Sequence, residues 1–206
     1  MKFVKMHGAG NDYIYVDCTE EELENPNEVA RRISDRHFGV GGDGLILVCR
    51  SQVADFKMRI FNADGSEAQM CGNGMRCFAK FVYDRGLTKK ETLRVETLAG
   101  IIKPDLLIED GQVTRVTVNM GRPRLQRSEI PMTGDSGRCI NEEIDVDGQK
   151  ARITAVSMGN PHAVIFVDDV REAPVTTLGP AIETHPAFPE KTNVHFVPVS
   201  YTHLTL

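Results

Sequence analysis

The chain has 206 residues, of which 41% are hydrophobic and 26% charged, the balance of an ordinary globular protein with one large domain or two small ones. Its net charge of -5, the absence of any Lys/Arg block and the lack of Trp argue against a nucleic-acid or anionic-membrane partner. No apolar run approaches the length that crosses a bilayer, and "MKFVKMHGAGND" has no apolar core of a secretory signal. A cytoplasmic chain is therefore expected. Its five cysteines (Cys18, Cys49, Cys71, Cys77 and Cys139) are odd in number and irregular in spacing, and are expected as free thiols.

In chain order, residues 2–6 and 13–17 read as strands around a polar loop, "HGAGND". The acidic "TEEELEN" is expected at the surface. "NPNEVARRISDRHFG" has the signals of a helix: Asn25 as N-cap, Pro26 at the first position, Glu28 completing a capping box, and Gly39 closing the end. "LILV" and "FKMRIFN" are short apolar strands, and "NADGS" is a turn. From Asn73 to Tyr83 the apolar residues Met75, Phe78, Ala79 and Val82 recur at helical spacing, with Gly86 as a C-cap. Then "TLRVET", "GIIKPDLLIE" and "QVTRVTVNM" read as strands, the last two joined by a hairpin turn at "EDG". The turn-rich "GRPRLQRSEIPMTGDSGR" is the candidate domain boundary. Beyond it lie three more strands ("EIDVDG", "RITAVSM", "AVIFVDD") and a helix around 176–185. "GAGNDYIYVD" is echoed by "SMGNPHAVIFVD", the pattern two similar α/β domains would leave.

"GVGGDG", residues 39–44, matches the dinucleotide-binding spacing literally. A helix precedes it and a strand follows, which is the wrong order for holding a pyrophosphate. Its glycines are read instead as tight turns or close backbone approaches. "MCGNGMRC", residues 70–77, is different, because Cys71 follows a turn and opens a helix. Cysteines at helix starts face unpaired N–H groups and the positive end of the dipole, which favours a reactive thiolate. A small packed residue at a helix start is the other reading. Cys77 falls on a different face of the same helix and is expected to pack. No zinc-ligand spacing is present, so no metal is expected.

Together, "MHGAGND", "GVGGDG", "FNADGSEAQMCGNGMRCFAKF", "VNMG" and "SMGNPHAV" resemble diaminopimelate epimerase, in the expected order, from Met1 to about Val197. The resemblance implies an α/β (α+β) fold: two similar mixed-sheet domains, each wrapped on a central helix, with the active site between them. It places an N-terminal domain at 1–118 and a partial C-terminal domain at 119–206. The implied activity is cofactor-independent epimerisation of LL-2,6-diaminopimelate to the meso isomer in lysine and peptidoglycan precursor synthesis, by a homodimer when full length. A thiolate and a thiol exchange one proton in that reaction. Cys71 resembles one of the pair. Gly72 and Asn73 resemble contacts at the helix start, and Asn11, Asn62, Asn160 and Asn193 resemble the amides that hold the substrate. His162 resembles a residue that tunes the thiols.

The second cysteine of the family pattern, in a Cys-Gly-Ser/Thr-Gly motif, has no counterpart, and residues 198–206 resemble nothing in the family. A truncated second domain with a non-native tail, and an inactive chain, are the resulting expectations. A racemase or isomerase of the same fold and a non-catalytic amino-acid-binding protein are the other functions compatible with these residues. If the second domain lacks part of its core, amide hydrogen exchange will be weakly protected after residue 120. Protection equal to that of the first domain would refute that expectation.

Overall fold

The computed structural model describes residues 1–198. The expected non-native tail, 198–206, lies outside the described residues apart from Pro198, which ends a strand. The architecture is mixed α/β, with several sheets and few helices. Two compact units are present, Met1–Met120 and a second beginning at Gly121.

In the first unit β1 (Val4–Gly8) and β2 (Asn11–Cys18) form an antiparallel hairpin. The expected loop shrinks to a two-residue turn, Ala9–Gly10, with both residues at positive φ (55° and 85°). Such turns match the twist of the flanking strands. Asn11 and Asp12 are thereby strand residues. Helix α1 (Pro26–Ser34) follows, with Asn25 at the N-cap position and Pro26 in the first turn as expected, but without the expected capping box. Asn25 is left-handed (φ 50°), a conformation asparagine tolerates, and its side chain makes no cap hydrogen bond. No capping box forms, and the Asn25 carbonyl receives Glu28 and Val29 N–H. The helix stops at Ser34, before Gly39, because the Asp35 carboxylate accepts the N–H groups of His37 and Phe38 and turns the chain.

β3 (Gly44–Cys49) runs parallel to β2, and β4 (Phe56–Asn62) runs antiparallel to β3. The short β5 (Glu67–Ala68) pairs β4 and leads to α2 (Gly72–Asp84). Gly86 (φ 73°) closes α2 as expected, with Gly86 N–H on the Tyr83 carbonyl and Leu87 N–H on Val82. β6 (Val95–Thr97) returns parallel to β4, and β7 (Gly100–Ile102) pairs β6. The single strand expected over "GIIKPDLLIE" breaks at Lys103. Pro104 opens β8 (Pro104–Glu109), a position where its missing N–H is tolerated. β8 and β9 (Gln112–Val118) form a hairpin turned by Asp110–Gly111, both at positive φ.

α2 lies between these layers. Its apolar face, with Met75, Phe78 and Val82 fully buried, packs with Tyr15, Ile46 and Met58 of the main sheet and with Leu106 and Val113 of the β8–β9 hairpin. The other face of the sheet, through Ile14, Leu45 and Phe61, packs on Ala30, Val29 and Ile33 of α1.

In the second unit β10 (Glu142–Val146), β11 (Gln149–Ser157), β12 (Pro161–Val167) and β13 (Asn193–Pro198) form one sheet in that order. Its core joins Ile153, Ala163 and Ile165 to Ile130, Cys139 and Phe188, and to Ile182 of the short α3 (Leu178–Glu183). β11–β12–β13 repeats the pairing of β1–β2–β3, antiparallel then parallel. The echo seen in the sequence falls on these equivalent strands.

Phe78 is fully buried within the first unit's core. Phe78→Ala is expected to destabilise the first unit by about 3–5 kcal/mol. The check is its urea midpoint, followed by a probe confined to residues 1–120.

Candidate active site

Cys71 is the N-cap of α2, with extended backbone (φ -139°, ψ 113°). Its sulfur receives the N–H of Gly74 at 3.3 Å, as a capping side chain does. Its thiol donates to Asn11 Oδ1, also at 3.3 Å. The sulfur thus has a partner suited to each protonation state: an acceptor for the thiol proton and a donor for a thiolate. The thiol is partly exposed, unlike Cys77 on the same helix, which is 7% exposed and whose thiol burial pushes up. Cys77 packs in the core, as expected.

Small residues make this seat. A Cβ on Gly74 would come within 2.8 Å of Ile46 Cδ1, and one on Gly8 within 2.9 Å of the Asn73 carbonyl oxygen. A side chain on Gly8 would push against the backbone of the first turn of α2, and one on Gly74 would displace the ends of Ile46 and Met58 beneath it. The Tyr15 hydroxyl, beneath the helix, donates to the Gly74 carbonyl at 3.1 Å. Tyr13 is buried beside Cys71. Its phenol is pushed up by burial and by the neighbouring sulfur, so it stays protonated. Met120 of "VNMG" covers Gly72, with Sδ 3.1 Å from where a Cβ would stand.

The first unit gathers Asn11, Cys71, Gly72 and Asn73 around the start of α2. Asn73 Oδ1 accepts from Arg76 at 2.6 Å. Asn62 ends β4 opposite Gly44, and its amide donates to Ser66 Oγ at 3.0 Å, the habit of a turn residue. Asp43, which no motif reading singled out, sits behind Asn11 and accepts its Nδ2 at 2.7 Å. Arg36 bridges Asp43 (2.9 Å) and Asp12 (2.7 Å), and Lys5 reaches Asp12 at 3.1 Å.

In the second unit Asn160, His162, Asn193 and His195 group at one end of β12 and β13. His162 and Asn193 are register partners on the two parallel strands. His162 Nε2 meets Asn160 Oδ1 at 3.1 Å, and its Nδ1 meets His195 Nε2 at 2.8 Å. That contact needs one donor and one acceptor, so the two rings cannot both be imidazolium. Burial, then the neighbouring His195, pushes His162 down, which keeps it neutral. Asn193 Nδ2 donates to the Pro161 carbonyl at 3.1 Å. Asn160, Asn193 and His195 line a cleft that also holds Glu183, Glu190 and Lys191. His195 was missed in the sequence because only the parallel register brings it beside His162.

Among the described residues no cluster of three or more His, Cys, Asp or Glu is placed to hold a metal, and no helix is long and apolar enough to cross a membrane.

This fold is shared with racemase-type and PhzF-type structures. A probable proline racemase from Agrobacterium radiobacter K84 superposes with a TM-score of 0.65 at 15% identity, covering 94% of this chain and 65% of that one. A PhzF-family phenazine biosynthesis protein from Bacillus anthracis gives 0.64 at 21% identity, covering 98% and 69%. The family is set by sequence: residues 3–126 and 154–205 match diaminopimelate epimerase. The diaminopimelate epimerase of Pelotomaculum thermopropionicum is 57% identical over 202 residues, 97% of this chain and 72% of its own length. That of Methanococcus maripaludis is 54% identical over 197 residues, covering 96% and 71%. The chain belongs to the diaminopimelate epimerase family, a family of isomerases.

The Arg36 guanidinium, helped by Lys5, holds the Asp12 carboxyl well below the usual carboxylate range. A depressed folded value means that the ion pair stabilises the fold fully above the unfolded value, near pH ~4, and loses this as pH falls further. Asp12→Asn should therefore flatten the acid limb of the stability curve below pH ~4. Equal acid slopes for variant and wild type, read by urea midpoints across pH, would contradict this.

Proposed function

We infer that the chain carries one half of a two-thiol epimerase site, with Cys71 as the proton-transfer thiol on one face of the substrate's α-carbon. The observation behind this is the seat of Cys71: partly exposed at a helix start, with Gly74 N–H to serve its thiolate and Asn11 Oδ1 to serve its thiol. Removing an α-proton without an electron sink requires the carbanion to be stabilised through the α-carboxylate. N–H groups at the start of α2, beside Gly72 and Asn73, are suited to that carboxylate. The substrate is LL-2,6-diaminopimelate, interconverted with its meso isomer without a cofactor. Family membership supports this choice over other amino-acid isomerisations. An asparagine amide both donates and accepts, which suits the ammonium and carboxylate ends of a zwitterion. On this reading Asn11, Asn62 and Asn73 in the first unit, and Asn160 and Asn193 in the second, are substrate-binding residues, with His162 tuning thiol reactivity. The same membership supports a place in lysine and peptidoglycan precursor synthesis, in the cytoplasm, as a homodimer of full-length chains.

Inversion needs a second thiol on the opposite face, and the other four cysteines do not offer one. Cys18, Cys77 and Cys139 are buried, and Cys49 is half-buried in the cluster against α1. The 206-residue chain is therefore expected to give no LL-to-meso conversion. Fusing on the C-terminal part of the Pelotomaculum thermopropionicum relative should restore turnover, and Cys71→Ala in that fusion should abolish it while the fold persists. Normal turnover by the chain alone would refute the two-thiol reading. Unchanged turnover in the Cys71→Ala fusion would remove Cys71 from the chemistry.

A further inference from the structure

The "GVGGDG" segment is not a nucleotide loop, yet its chain path is tightly fixed. Val40 and Gly41 N–H groups bond to the Ile33 carbonyl, and Gly42 N–H bonds to that of Ser34, so the segment wraps the end of α1. A Cβ on Gly39 would stand 2.4 Å from the Arg32 carbonyl oxygen, so only glycine fits there. Asp43 is then pinned from both sides: its N–H donates to the Asp12 carbonyl at 2.7 Å, and its carbonyl accepts from Ala63 N–H at 3.1 Å.

The side chain of Asp43 is held as firmly. Oδ2 accepts from Asn11 Nδ2 at 2.7 Å and from Asp12 N–H at 3.0 Å, while Oδ1 accepts from Arg36 at 2.9 Å. An ionised carboxylate has only acceptors to offer. Asn11 must therefore turn its NH₂ to Asp43, and its carbonyl oxygen is left pointing at the Cys71 sulfur, 3.3 Å away. If the amide were reversed, two acceptors would face each other at Asp43, and an N–H would face the sulfur.

We propose that Asp43 is a positioning residue for the reaction: by fixing the Asn11 amide it presents an oxygen rather than an N–H to the Cys71 sulfur and so sets the partner that the S–H meets. Gly74 N–H donates to the same sulfur at 3.3 Å. This proposal rests on Cys71 being the proton-transfer thiol. The Asp43 carboxylate bonds to Asn11, Asp12 N–H and Arg36 and reaches the sulfur only through Asn11.

Alkylation tests it, because iodoacetamide reacts with the thiolate. The 206-residue chain is treated with limiting iodoacetamide across a pH series, and the Cys71 peptide is quantified by mass spectrometry. Asp43→Ala frees the amide to turn its NH₂ onto the sulfur. It should raise the rate at pH 7 by roughly fivefold, the scale of one net hydrogen bond. Asp43→Asn removes the charge but can keep an oxygen facing Asn11 and Asp12 N–H, so it should stay within about twofold of wild type. The proposal is overturned if Asp43→Ala behaves as wild type. It is also overturned if Asp43→Asn rises as far as Asp43→Ala, since charge rather than amide orientation would then be acting. Buried Cys77 and Cys139 report the fold and should stay unreactive in each variant. Should Asp43→Ala unfold, the Asn11 side-chain amide protons of the wild-type chain decide. Exchange slowed on the order of tenfold supports the Asp43 bond, and exchange at the rate of an unbonded amide overturns it. None of these readouts needs turnover, so a failed epimerisation assay and a failed positioning test point to different residues.

Discussion

The close seating of the first turn of α2 on the main sheet is the contact on which the proposed chemistry of the first unit depends. Gly8 and Gly74 remove the side chains that would hold the two apart, and the Tyr15 hydroxyl ties the Gly74 carbonyl from below. A helix start normally leaves its first N–H groups to solvent or to a cap. Here the cap is the sulfur of Cys71, so the group that stabilises the helix start is also the thiol proposed for proton transfer. The energy of the seat comes from elsewhere, from Met75, Phe78 and Val82 buried between two β layers. That division lets a polar, partly exposed site sit on a rigid frame, the arrangement precise proton transfer requires.

Behind the thiol, the ion pairs among Lys5, Asp12, Arg36 and Asp43 are mostly solvent-facing and would count for little as stability alone. Their geometric effect is larger. They fix the direction of a side chain whose two ends are sterically alike and chemically opposite. The second unit uses a different device, with two imidazoles and an amide in one hydrogen-bonded row on neighbouring parallel strands.

Much of this was legible in the sequence, and the misses share a cause. α2 was readable because Met75, Phe78, Ala79 and Val82 keep helical spacing and Gly86 supplies a positive-φ stop. The role of Cys71 as a helix opener followed from the same pattern. Asn25 is the N-cap its type suggests, but its left-handed backbone, which the same residue tolerates, takes the place of a side-chain cap, and only the tertiary path decides between the two. "HGAGND" reads as a loop because its polar residues hide a two-residue hairpin turn. Asp43 and His195 could not be read at all. Asp43 is 32 residues from Asn11, and His195 is 33 from His162. Parallel pairing and the wrap of "GVGGDG" around α1 create those contacts; the glycines mark the tight path, but nothing local names the partner that it brings to Asp43.

The crossover from β4 through α2 to β6 sets the order in which the thiol's surroundings can be assembled. β6 pairs β4 only after the whole of α2 has been made, and the hairpin covering the helix's other side, β8–β9, lies at residues 104–118. Contacts so distant along the chain form late, since the loop entropy must be met before they reward it. During synthesis Cys71 therefore emerges before the hairpin that covers its helix. The partners of its sulfur, Asn11 and Gly74, are made before or just after it, so what the hairpin adds late is the burial of the helix that carries the thiol, not the bonds that direct it.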